Sequence, residues 1–148
     1  MRFGVSAANI QPTGAGANAC IARARHAEAI GFDSVWVHDH VAPTRSVRTA
    51  YPYGSGEQAS ERTPRDYLEV LTMLSALAVA TRRVQIGTCV LAAPYRHPAV
   101  VAKMGATADR LSGGRCLIGI GDGWQREEFD VLNVPGDHFD HRFAVTTD

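Results

Sequence analysis

The sequence lacks most of the features that would place it at once. No apolar run approaches the roughly 20 residues a membrane-spanning helix needs, and the N-terminus has neither the cationic start nor the apolar core of a secretory signal. Lys+Arg and Asp+Glu number 15 each, so no cationic excess exists to attract nucleic acid or anionic lipid. Neither a nucleic-acid nor a membrane partner is expected. Cysteine is scarce and unpatterned: Cys20, Cys89 and Cys116 show no paired spacing, and unpaired thiols suit a reducing cytoplasm. Two of the three fall inside elements expected to be buried. No Gly-x-Gly-x-x-Gly separates the first expected strand from the first expected helix, where an open dinucleotide-binding sheet would carry its phosphate loop.

What is present is alternation. Residues 2–6 read as a first strand. Residues 22–31 are rich in helix formers and stop at Gly31, where a left-handed cap belongs. Ser34-Val-Trp-Val-His-Asp-His40 is then an apolar run ending in two imidazoles and a carboxylate. Residues 66–80 place Leu68, Leu71, Leu74 and Ala78 at helical spacing, with Arg82 and Arg83 suited to the negative end of a helix dipole. Residues 84–91 form the third apolar run. A helix from about residue 99 carries Val100, Val101, Met104, Ala108 and Leu111 up to Gly113 and Gly114, and residues 115–121 are the fourth run. Strands that are apolar throughout imply a parallel sheet covered on both faces. The expected fold class is therefore α/β, of the TIM-barrel-like (β/α)8 kind, with four βα units present.

Parallel α/β enzymes place their chemistry at the carboxyl ends of strands, which directs attention to His38, Asp39 and His40. His38 shares strand parity with His40 but reads rather as a packed or hydrogen-bonded histidine. Cys89 reads as a small buried residue, since no partner base is evident. His97, between Arg96 and Pro98, reads as a loop brace. His138 and His141 lack the further spaced ligands a metal site requires. Trp124 lines a pocket or covers the mouth of the sheet.

Four ordered blocks carry a resemblance: Ala29-Ile-Gly-Phe-Asp-Ser-Val-Trp-Val-His-Asp-His40, Thr81-Arg-Arg-Val-Gln-Ile-Gly-Thr-Cys-Val-Leu91, Tyr95-Arg-His-Pro-Ala-Val-Val-Ala-Lys103, and Asp109-Arg-Leu-Ser-Gly-Gly-Arg-Cys-Leu-Ile-Gly-Ile-Gly-Asp-Gly-Trp124. Together they resemble the bacterial luciferase-like superfamily, and especially its oxidoreductases that use the deazaflavin coenzyme F420. The resemblance implies a TIM-like barrel and hydride transfer between a small organic alcohol or carbonyl substrate and coenzyme F420. A flavin mononucleotide (FMN) monooxygenase of the same superfamily is the enzymatic alternative, and a non-catalytic half-barrel is the alternative from another class.

Carried over by position, the resemblance implies that Asp39 and His40 lie beside the coenzyme ring. It implies a bulge and a non-proline cis peptide behind the ring at Cys89-Val90, and close approach of Gly121, Asp122 and Gly123 to the ring edge. His40 is the expected general base, because imidazole with an ordinary pKa near ~6.5 suits removal of a hydroxyl proton. Asp39 would support its cation or contact the coenzyme, although neighbouring strand residues point to opposite faces. Glycine at 121 and 123 would leave room for a planar ring. A sugar-phosphate dehydrogenase of this group carries glutamate where this sequence has Trp124, so the resemblance stops short of that substrate.

A full (β/α)8 barrel takes ~250 residues, so residues 1–148 are expected to form a single partial barrel domain, the N-terminal half of a luciferase-like domain. Ala144-Val-Thr-Thr-Asp148 looks like a helix start with nothing behind it. Residues 42–64, with three prolines and two glycines, read as a lid over the active face. Two open sheet edges would favour a homo-oligomer or a complementing C-terminal half. The resemblance implies that the coenzyme phosphate is held largely by loops and a helix end of that second half.

Overall fold

Helices and strands alternate along the chain as the apolar runs predict. The computed structural model describes residues 1–11, 18–44, 46–52 and 66–147. In chain order the elements are β1 (Gly4–Ser6), β2 (Ile10–Gln11), α1 (Asn18–Ala29), β3 (Ser34–Val37), β4 (Asp66–Tyr67), α2 (Val70–Ala80), β5 (Gln85–Ala92), a 3-10 turn (Ala93–Tyr95), α3 (Pro98–Ser112), β6 (Cys116–Gly121), α4 (Arg126–Val131), α5 (Gly136–Asp140) and α6 (Arg142–Thr147). One sheet takes the order β1-β3-β5-β6, all parallel, with Val5 beside Val35, Val35 beside Ile86 and Ile86 beside Cys116. This is an α/β fold of half-barrel form.

Helices supply the core on one face. Val35, Val37 and Ile86 are fully buried against Cys20, Ala24, Leu71, Leu74 and Leu77 from α1 and α2. Each large aliphatic side chain so buried contributes about 1.5–3 kcal/mol. On the other face, the Trp36 ring lies across two glycines. A Cβ at Gly4 would sit 2.5 Å from Trp36 Nε1, and one at Gly87 would sit 2.5 Å from Trp36 Cζ3. Glycine at both positions is what admits the indole. Gly31 (φ 94°) and Gly113 (φ 72°) end α1 and α3 in the left-handed region, as expected for helix-stopping glycines.

Several expectations need correction. Coverage of both faces holds for β3 and nearly all of β5 but not for the edge strands: Leu117 and Ile120 of β6 are exposed, as are Val100 and Leu111 of α3. β6 is paired on one side only, which leaves its side chains less covered than those of the inner strands. The second helix starts at Val70, not residue 66, because Glu69 caps it by accepting from Leu71 N and Thr72 N at 3.2 and 2.7 Å. Asp66–Tyr67 pairs antiparallel with Ile10–Gln11. Arg82 and Arg83 lie beyond the helix, and their amides donate to Glu28 Oε1. Residues 144–147 lie within a helix, α6, that opens at Arg142, and side-chain bonds from Thr146 and Thr147 to carbonyls one turn back reinforce it. Cys89 is exposed, since it sits where β5 breaks register.

Candidate active site at the carboxyl end of the sheet

β3 ends at Val37, and the next three residues leave the pleat and diverge to separate partners. Asn9 holds the turn: wholly buried, its amide donates to the carbonyls of His38 and Leu68 at 2.7 and 2.8 Å and accepts from His38 N at 2.8 Å. His38 is fully committed. Its Nδ1 faces the Cys89 carbonyl at 2.7 Å, an acceptor only, so Nδ1 carries the proton and donates; Nε2 then accepts from the Ser6 hydroxyl at 2.9 Å. The reading of His38 as a hydrogen-bonded histidine describes this geometry.

Asp39 is buried in an ion cluster. Arg96 grips it with two bonds of 2.6 and 2.8 Å, Ala92 N donates at 3.0 Å, and Arg96 also reaches Glu69 at 2.9 Å. Burial works against the Arg96 cation, but the bonds and charge of Asp39, then Glu69, raise its pKa above the ordinary arginine value. Asp39 therefore does not pair with His40. The partner of His40 is Glu128, with Nδ1 and Oε2 2.5 Å apart. Nε2 of His40 has no hydrogen-bond partner among the described residues, and no buried side-chain nitrogen or oxygen there lacks one, so Nε2 reaches solvent. The ring stands 4.5 Å from that of Tyr67 and 6.3 Å from that of Trp124, which meets Tyr51 edge-on at 5.1 Å.

The Cys89-Val90 peptide is cis, at the register break between Thr88 and Leu91, as the resemblance implied. Val90 is 45% exposed and lies over β6: a Cβ at Gly121 would clash with its Cγ2. At Gly123 (φ 73°) a Cβ would crowd Phe129 and the Tyr95 hydroxyl. Both glycines thus accommodate the protein's own side chains. Asp122 faces Arg142 Nε at 3.4 Å, tying the end of β6 to α6.

α4 fastens the connector that follows β3. Glu127 accepts from the amides of Arg48 and Thr49 and from the Thr49 hydroxyl at 2.7, 3.1 and 2.8 Å, and Gln125 donates to Thr44. Only residues 42–44 and 46–52 of the expected lid fall within the described residues. Glu128 is wholly buried and accepts from Val41 N, Ala42 N and Tyr95 Oη at 2.8, 3.0 and 3.3 Å. Burial, then the charge of Glu128, push the Tyr95 phenol well above its ordinary pKa, so it stays a donor.

Sequence reasoning missed Asn9, Arg96, Tyr95 and Glu128 as parts of this site. The adjacent carboxylates Glu127 and Glu128 just before Phe129 were the available signal, with one face of a short helix set by the apolar residue. His97 caps α3, accepting from Ala99 N at 3.2 Å. Among the described residues no group of three metal-capable side chains occurs, and no helix is long and apolar enough to cross a membrane.

Comparison with known proteins follows the same lines. The family model described as luciferase-like monooxygenase matches residues 1–148. The F420-dependent glucose-6-phosphate dehydrogenase of Amycolatopsis mediterranei is 38% identical over 119 residues, covering 80% of this chain and 31% of that protein. The pyrimidine monooxygenase RutA of a Bradyrhizobium species is 41% identical over 88 residues, 56% of this chain and 24% of that protein. Among solved structures, an F420-dependent secondary alcohol dehydrogenase in complex with an F420-acetone adduct superposes with a TM-score of 0.60 at 28% identity, over 82% of this chain and 32% of that one. The chain thus spans a quarter to a third of the length of these relatives.

Proposed function

This chain belongs to the luciferase-like monooxygenase family, and on that premise we propose that it supplies the substrate-facing base and ring seat of an oxidoreductase using coenzyme F420. The substrate class is a small alcohol and its carbonyl product. The observation that carries this reading is the contrast between the two histidines: both ring nitrogens of His38 are engaged, whereas Nε2 of His40 is open at the carboxyl end of the parallel sheet.

The residues present fit the ring end of the coenzyme. Cys89 and Val90 offer an exposed, largely apolar surface beside His40's strand, and Trp124 and Tyr67 add aromatic faces. When bound, the deazaflavin accepts or returns a hydride at its ring. Nε2 of His40 takes the hydroxyl proton as the carbinol is oxidised and returns it in the reverse direction. Asp39 acts through structure, holding Arg96 and the start of the 3-10 turn so that the β5 bulge keeps its place. Gly121, Asp122 and Gly123 shape the edge of the seat by admitting Val90, Phe129 and Tyr95 and by anchoring α6.

FMN with oxygen is the second reading, favoured by the identity to a pyrimidine monooxygenase. Fluorescence titration of the purified protein with F420 and with FMN separates the two: tighter F420 binding is expected, and His40→Ala should cut turnover by about 100-fold or more with coenzyme affinity nearly unchanged. Tighter FMN binding, with oxygen uptake on adding reductant, would overturn the proposal.

A further inference from the structure

We infer that Glu128 is the positioning residue of this site: it fixes the single proton of neutral His40 on Nδ1 and thereby leaves Nε2 bare to accept the substrate's proton. The inference rests on the reading of His40 as the base, and it adds the device that makes that histidine competent.

The geometry is specific. Glu128 is completely buried, 88 residues along the chain from His40, and a carboxylate so placed is tolerated only when donors surround it. Four do. The amides of Val41 and Ala42 can only donate, and both are directed at Oε1. The Tyr95 hydroxyl donates to Oε2, the same oxygen that His40 Nδ1 approaches at 2.5 Å. An ionised carboxylate has no proton to offer, so Nδ1 must donate. A neutral imidazole carries one proton, which places the lone pair on the solvent-reaching Nε2. When Nε2 takes a proton, the resulting imidazolium already has the opposite charge at its other nitrogen. Among the described residues the acids adjacent in sequence to His40 and Glu128 are committed elsewhere. Both Asp39 oxygens are held by Arg96 and Ala92 N, and Glu127 is turned to Arg48 and Thr49.

The substitution Glu128→Gln is close to isosteric and reverses the logic. The amide oxygen must stay at the Oε1 position to accept from Val41 and Ala42, so the NH2 group faces His40. Nδ1 then becomes an acceptor, the proton moves to Nε2, and the base is blocked. Nitrogen-15 NMR of the histidine rings at alkaline pH reads the tautomer directly, with no coenzyme needed. In the unmodified protein His40 should carry its proton on Nδ1; in Glu128→Gln it should carry it on Nε2. In Glu127→Gln, which loosens the same connector without touching His40, the original pattern should persist. Turnover of an F420-alcohol pair should fall by about 100-fold or more in Glu128→Gln, the usual scale for losing a general base.

A proton on Nε2 in the unmodified protein would overturn the inference by itself, even if Glu128→Gln fails to fold. An unchanged tautomer in folded Glu128→Gln would overturn it equally. If the tautomer switches as described but F420 is neither bound nor reduced by any alcohol, the positioning role stands and the proposed reaction falls.

Discussion

Replacing Asp39 by Asn should cost this protein stability before it costs anything else. The substitution keeps the shape of the side chain but removes its charge, and it turns an amide NH2 or a single carbonyl toward the two Arg96 nitrogens now bound at 2.6 and 2.8 Å. Arg96 is only 12% exposed and would be left with Glu69 alone, itself more than a third exposed. Removing one member of a buried pair costs about 3–5 kcal/mol, because the stranded charge stays buried. A domain typically has about 5–15 kcal/mol in all, so about a fifth of the total or more is at stake. For a chain of this size that corresponds to a melting point lower by roughly 10 °C.

Urea unfolding followed by circular dichroism measures the change, and the slope of the transition should stay constant if the folded form is otherwise intact. Adding Arg96→Met to Asp39→Asn removes the stranded cation and should return part of the loss. A loss below about 1 kcal/mol, the scale of an ordinary surface pair, would refute the structural role. Selective loss of coenzyme affinity at unchanged stability would instead return Asp39 to the binding site.

Two further outcomes follow from the packing and the carboxylates. Gly121→Ala should destabilise by about 1–3 kcal/mol as its Cβ meets Val90, and Val90→Ala in the same chain should relieve it; a neutral Gly121→Ala in thermal melts would show that Val90 yields freely. Glu28, Glu69 and Glu127 are each pushed up by burial, yet bonds from backbone amides and threonine side chains, with help from arginine charge at Glu28 and Glu69, hold them below the ordinary carboxyl value of 4.5. Depressed carboxyls contribute stability at neutral pH that disappears as pH falls through their folded-state range, so the urea midpoint should drop between pH 5 and pH 3. A midpoint that holds or rises on acidification would contradict this.

Much of the fold was legible in the chain because the signals behind it are local. Apolar runs of strand length and glycines at 31 and 113 after helical stretches announce β3, β5, β6 and the helix ends from neighbours within a few residues, whereas the cis bond at Cys89-Val90 came from the family resemblance alone. The helix over residues 66–80 was misread at its start for a related reason: Leu68 fits the period, but Glu69 offers its carboxylate as a cap, and the preceding pair is drawn away by β2. The lower coverage of β6 and α3 could not be read at all, since hydrophobicity reports what a residue prefers and not whether a neighbour exists.

The site divides the same way. Strand period and chain direction were enough to put His38, Asp39 and His40 at the end of a parallel sheet. Their separate roles came from contacts between distant segments. His38 goes to Ser6 and Cys89, Asp39 to Arg96 across 57 residues, and His40 to Glu128 across 88. Three adjacent residues leave the pleat in three directions once β3 ends at Val37, and which donor or acceptor each one meets depends on the close packing of β5, the 3-10 turn and α4 around them. Periodicity carries no information about those distances, whereas a hydrogen bond exists or fails within a few tenths of an ångström.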